Sequence, residues 1–282
     1  MELKKIKQHL VYYFKEECGI DIQGDTFPNE LSIRPLLKNG LQDFENGSGH
    51  PDRELEQINS SARLAAFYYK LFESSGNCSS LRFEWNESTP LEIPQRNIPP
   101  ANLDVRYEIG NEIHFVESKY LEPYYRGNEE ISQSYLNQDY YPTIIPNANV
   151  WVNKFAQVND MTKYVNTTQL YRHLLSIYRH YLENPQIYKG KSIVLESVSW
   201  MATERFIDIV GKVSRRSESY LTKRKNTIEE ESIEIVLKDI NDYITFLEWG
   251  NCRFEVKYYN TMLDEIKGAG KYEDFCKQYL LC

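Results

Sequence analysis

Apolar residues recur at helical spacing from the first positions, where Leu3, Ile6, Leu10 and Phe14 share one side of MELKKIKQHLVYYFKEEC, and this predicts a helix over 3–18. A stretch rich in Gly, Pro and Asn follows to about residue 51, ends in Gly47-Ser48-Gly49, and reads as loop or short elements. The next periodic segment sets Leu55, Ile58, Ala62, Ala65, Tyr69 and Phe72 along one face, so a helix is expected over 52–72 with Asp52 as its N-cap. LRFEW (81–85) is a short strand pattern. Pro90, Pro94, Pro99 and Pro100 then forbid a continuous helix. LDVRYE and EIHFVESKY, on either side of Ile109-Gly110-Asn111, carry the clearest β-hairpin pattern in the chain.

Residues 120–166 hold no dominant period, and a connection of that length is built from small elements or serves function. The segment 167–184 returns to helical spacing. Leu170, Leu174, Ile177, Tyr178 and Tyr181 face inward, and Gln169, Arg172, His173, Ser176 and Arg179 lie on the other side. SIVLESVSW (192–200) is an apolar strand of the buried kind. A basic run (Lys212, Arg215, Arg216, Lys223, Arg224, Lys225) leads to a helix over 227–248, which Thr227 and Glu230 would open as a capping box. CRFEVKYY and a last helix complete the pattern. The order predicts an α/β protein with a mixed central sheet flanked by helices and with N- and C-terminal extensions. Its parts are an accessory helix and loop (1–50), a core (51–210) and a helix-strand-helix extension (211–282) packed on that core.

Composition narrows the classes. With 282 residues, 41% hydrophobic and 26% charged, the chain has material for a buried core. Its net charge of −8 argues against a nucleic-acid coating protein, although a local basic patch is enough for an enzyme acting on nucleic acid. No apolar run reaches the length of a membrane-spanning helix, and the charged N-terminal pattern is unlike a signal peptide. The expectation is a protein with no membrane partner. The five cysteines are scattered without a CxxC pair, so neither a disulfide framework nor a zinc knuckle is expected, and a cytoplasmic setting fits them. The 22 tyrosines accompany abundant Asn, Ile and Lys and read as compositional bias rather than as stacking platforms. His173 and His180 are seven apart, which is not the spacing of a metal-binding pair. Any metal would have to be held by carboxylates.

The candidate chemistry sits at the open end of the hairpin. Asp104 begins its first strand and Glu117-Ser118-Lys119 ends its second, so antiparallel pairing brings the two carboxylates side by side. Glu117 and Lys119 are two apart and project from one face. Adjacent carboxylates repel, a hard divalent cation relieves the conflict, and a neighbouring lysine can position water and stabilise anionic charge. That set suits attack on a phosphodiester. The spacing alone is weak: acidic-x-Lys occurs four times, at Glu2/Lys4, Glu117/Lys119, Glu255/Lys257 and Glu265/Lys267. Only Glu117/Lys119 has an acidic residue across a hairpin.

Asp104 with Glu117-Ser118-Lys119 resembles the motif of the PD-(D/E)XK nuclease superfamily, with Leu103-Asp104 where Pro-Asp is often found. The order helix 52–72, strand 81–85, hairpin 103–119, helix 167–183, strand 192–200 is also similar to the core of restriction-endonuclease-like proteins. The missing proline and the long 120–166 insertion depart from it. The resemblance, which covers about residues 47–200, implies a Mg²⁺-dependent nuclease, with Mn²⁺ able to substitute, acting on DNA in restriction or defence. It implies Asp104, Glu117 and the Ser118 carbonyl as metal ligands and Lys119 as the group orienting water. Glu54, ahead of Glu56, would complete the site, and Gln169 would contact substrate or water. Arg172, Arg179, Arg215 and Arg216 are candidates for DNA contact, and cutting both strands at a palindrome implies a symmetric homodimer. The competing expectation is a catalytically silent DNA-binding module with the same fold.

Overall fold

In a computed structural model, described for residues 2–37, 40–46, 55–96 and 100–279, five strands form one mixed sheet with helices against both faces. The strands are β1 (Ser79–Trp85), β2 (Leu103–Ile109), β3 (Glu112–Lys119), β4 (Ser192–Ser199) and β5 (Cys252–Tyr258), and they lie side by side in chain order. The pairs β1–β2 and β2–β3 are antiparallel, whereas β3–β4 and β4–β5 are parallel. Gly110 makes the tight turn between β2 and β3 with a φ of 56°, a left-handed conformation that glycine adopts without penalty. Parallel neighbours need long crossovers, and helices fill them.

The longer helices are α1 (Leu3–Cys18), α2 (Ser61–Ser74), α3 (Ala148–Val158), α4 (Thr167–Glu183), α5 (Glu204–Val213), α6 (Arg215–Glu230), α7 (Lys238–Phe246) and α8 (Tyr272–Gln278). A π-helical stretch, Glu231–Leu237, joins α6 to α7. Side chains that alternate along the strands feed two cores. Val105, Tyr107, Val116 and Val198 meet Phe67 and Tyr68 of α2, Leu10 and Phe14 of α1, and Phe275 of α8. Ile113, Phe115, Leu195 and Phe254 meet Trp151 and Phe155 of α3, Leu174 of α4 and Ile240 of α7. Covered on both sides, β3 is buried from Ile113 to Ser118, as expected of a central strand in a parallel region.

Four expectations change. The helix expected from residue 52 begins at Ser61, where the Ser60 hydroxyl accepts the Arg63 N–H; Asp52 lies outside the described residues. Residues 55–58 cannot be helical because their backbone pairs with the N-terminal segment, Phe27 N–H to Glu56 O at 2.9 Å and Ile58 N–H to Asp25 O at 3.0 Å. The helix expected from 227 begins at Arg215, capped by Ser214, and Thr227 lies inside it with its hydroxyl on Lys223 O. Leu221, Arg224 and Ile228 are the buried stripe of α6, so a buried arginine concealed the period within the basic run. His173 and Ser176, expected on the outer side of α4, are both buried. Finally, 120–166 contains α3.

The segments expected as extensions share the main cores. β5 is the fifth strand of the sheet, and α1 and α8 pack into the α2 side. Arg63, fully buried, donates to Leu31 O (2.7 Å), Leu55 O (2.6 Å) and Gln278 Oε1 (2.6 Å), tying the N-terminal segment, α2 and α8 together. Among the described residues no helix is long and apolar enough to cross a membrane.

Candidate functional site

The ends of β2 and β3 place Asp104, Glu117 and Lys119 in one cleft, with Gln169 from the first turn of α4, Glu122 after β3, and Ser60–Ala62 at the start of α2. Glu117 is 3% exposed, and each of its oxygens meets a nitrogen: Lys119 Nζ lies 2.5 Å from Oε1 and His173 Nε2 2.8 Å from Oε2. Burial pulls its pKa up, but the Lys119 and His173 charges and hydrogen bonds outweigh burial and hold it at about 2. Asp104 accepts the Ser118 N–H at 2.6 Å. Its surroundings work the other way. Burial and then the Glu117 charge raise its pKa well above the usual carboxylate range, and Lys119 only partly offsets them. For Lys119, burial disfavours the ammonium form, yet Glu117, Glu122 and Asp104 together raise its pKa above the ordinary lysine value. Lys119 is therefore a donor at neutral pH, and it cannot take a proton from water.

The remaining expected residues divide. Gln169 borders the cleft, its N–H held by the Asn166 cap at 3.1 Å. The Ser118 side chain faces away, with its hydroxyl 2.8 Å from Tyr259 Oη, while its N–H serves Asp104. Glu54 lies outside the described residues. Glu56 pairs instead with Ser32 and Arg34. Arg179 is engaged by Glu92, Glu183 and Thr89, and Arg172 by Tyr135. Arg215 and Arg216 are exposed at the start of α6.

His173 is the residue that sequence reasoning missed. Comparing it with His180 tested the wrong pair; the informative spacing is from Gln169, one turn earlier on the same helical face. A second charged group lies on the opposite sheet face. There Glu196, fully buried, meets Tyr107 Oη (3.1 Å), His114 Nδ1 (2.7 Å) and Lys257 Nζ (2.5 Å), and Glu255 pairs with Lys257 (3.0 Å) and Arg253 (2.7 Å). Its carboxylates are saturated by protein partners, which suits a structural network.

Among the described residues, no three His, Cys, Asp or Glu side chains converge as a metal cage. Mg²⁺ does not require one, since it commonly binds through one or two carboxylates and keeps waters or substrate oxygens. Asp104 and Glu117 offer hard oxygens, and burial followed by the Glu117 charge makes the Asp104 carboxylate costly to ionise without a cation beside it. The donor set fits such an ion at Asp104 most directly, because Glu117 already holds two nitrogens. No protein-family model, no curated protein and no solved structure matches this chain.

Proposed function

We propose that this chain is a metal-dependent nuclease that hydrolyses phosphodiester bonds, acts on DNA, and belongs with the PD-(D/E)XK enzymes of restriction or defence type. The observation that carries this reading is the meeting of Asp104, Glu117 and Lys119 in one cleft at the open end of a hairpin. Asp104 and Glu117, with the Ser118 carbonyl, would hold Mg²⁺ or Mn²⁺, which supplies an acidified water and charge for the anionic transition state. Lys119, kept as ammonium by its carboxylates, orients a water and adds positive charge where the phosphorane oxygens gain negative charge. His173 Nε2 stands 2.8 Å from the second oxygen of Glu117 and limits the directions open to that carboxylate. The pairing of both Glu117 oxygens is also what favours the second reading, a silent DNA-binding module.

Cleavage of mixed plasmid and phage DNA in Mg²⁺, with EDTA and Lys119→Ala as controls, tests the proposal. Cutting that disappears in both controls is expected. A Lys119→Ala protein that cuts as well as the parent sinks the mechanism, and DNA binding without cleavage moves the choice to the silent module.

A further inference from the structure

A second cavity, of about 150 Å³, continues inward from Glu117, Lys119, Glu122 and Gln169. Its floor includes Ser197 and Ser199 of β4, which are 9% and 8% exposed and lie on the same sheet face as Glu117. Neither hydroxyl is hydrogen-bonded among the described residues. Both hydroxyls are accessible from the cavity and free of protein partners among the described residues, so they can meet the polar edge of a ligand. Tyr164, Leu170 and Ile228 supply apolar wall, and Arg126, exposed and without a carboxylate partner among the described residues, stands at the rim.

The walls are rigidly built. Glu231, 7% exposed, accepts the N–H groups of Lys163 (2.7 Å), Tyr164 (2.8 Å) and Val165 (3.1 Å). Arg224, 8% exposed, donates to Pro123 O at 2.6 Å and to Arg126 O, and its guanidinium covers the Tyr164 ring at 3.7 Å. The two loops meet at Gly127, where a Cβ would stand 2.7 Å from Lys163 O. Residues 123–127 and 163–166 are thus pinned from α6 and the π-helical stretch, and the cavity is preformed.

A cavity of this volume accepts one six-membered aromatic ring. Its polar floor and apolar walls match the edge and face of a base, and Arg126, which shares the rim with Glu122 and Glu129, is the group placed to meet a phosphate. A base stacked in a duplex cannot enter a concave pocket of this kind, whereas an unpaired one can. We infer that this pocket receives the base of one unpaired nucleotide beside the reacting phosphodiester, so that the preferred substrate is a single strand, a flap or a frayed end of DNA. The placement of the phosphodiester rests on the nuclease reading. The pocket is tested by binding alone.

The test measures fluorescence anisotropy of a labelled DNA single strand of about 12 nucleotides, and of the matching duplex, with Ca²⁺ in place of Mg²⁺. The parent protein is expected to prefer the single strand by about 10-fold or more, and Ser199→Phe, which fills the pocket, to remove that preference while leaving duplex binding unchanged. Arg126→Glu, at an exposed site, is expected to weaken single-strand binding without lowering the melting temperature. Equal affinity of the parent for both forms overturns the inference, as does unchanged single-strand binding by a folded Ser199→Phe protein. If Ser199→Phe does not fold, unchanged binding by Arg126→Glu overturns it instead. The expected binding pattern with no cleavage in Mg²⁺ or Mn²⁺ would refute the hydrolytic reading alone and leave the pocket standing.

Discussion

Substituting Glu231→Gln probes how the pocket wall is held. Three backbone donors, on Lys163, Tyr164 and Val165, converge on this one buried carboxylate at 2.7–3.1 Å. Glutamine keeps a single acceptor oxygen and turns an NH₂ group toward at least one N–H. In its best orientation it retains the Tyr164 and Val165 bonds, weakened by loss of the charge, and leaves the Lys163 N–H unsatisfied. Hydrogen bonds to a charged group contribute about 1.5–3 kcal/mol each and neutral ones nearer 1, so the expected loss is about 2–4 kcal/mol. For a chain of this size that lowers the melting temperature by roughly 5–15 °C. Thermal denaturation followed by circular dichroism gives the total. Amide hydrogen exchange locates it, since the amides of 163–165 should lose protection before those of β3 and β4. A melting temperature within about 1 °C of the parent, with those amides still protected, would refute the argument that the carboxylate holds the loop.

Three further outcomes follow from other parts of the molecule. Burial lowers the His180 pKa from 6.5 despite the opposing charge of Glu87, and burial followed by the charge of Lys5 lowers that of His9; both pKa values are lower folded than unfolded, so the unfolded chain takes up protons first. The stability these two histidines contribute is then full above about pH 6.5 and falls on acidification through it, whereas Asp104, with its raised pKa, acts in the opposite sense; His180→Gln should therefore flatten the fall relative to the parent between about pH 7 and pH 5, and an identical pH profile in the two proteins would refute the assignment. Gly127→Ala sets a methyl against Lys163 O, and calorimetry should show a cost of about 1–3 kcal/mol, whereas an unchanged melting temperature means the loops are not in close contact. His173→Ala removes one of the two groups holding Glu117, and a loss of about 10–100-fold in kcat/KM for DNA cleavage is expected, against no loss if the histidine only fills space.

The hairpin and the Asp104–Glu117–Lys119 meeting were legible because both follow from period-two alternation around a glycine turn, a pattern that local sequence carries in full. The start of α2 was not legible. Leu55 and Ile58 match its apolar stripe by spacing, but they are buried by a backbone pairing with residues 25–27 that lie far back in the chain. The face of α4 was misread for a related reason. An amphipathic assignment assumes one wet side, and Ser176 is buried there because its hydroxyl finds Ser88 O at 2.6 Å. Arg224 shows the limit most clearly. Its charge suggested a solvated run, and its burial is made tolerable by the Tyr220 hydroxyl one turn earlier and by the carbonyls of 123 and 126, a hundred residues away in the chain. The pocket that α6 braces was invisible for the same reason.

Because the five strands lie in chain order, each strand leaving the ribosome finds its neighbour already present, and the sheet can lengthen by one edge at a time during synthesis. Arg63 breaks that sequence. Its guanidinium is enclosed by carbonyls of the early chain, but one of its acceptors is Gln278, 215 residues later. Until α8 arrives, the Arg63 guanidinium lacks one of its partners and part of its cover, so the sheet can assemble progressively while the gain in stability on the α2 side waits for α8 to be made. Arrested chains that end before α8 should accordingly carry a formed hairpin and remain sensitive to protease around Arg63.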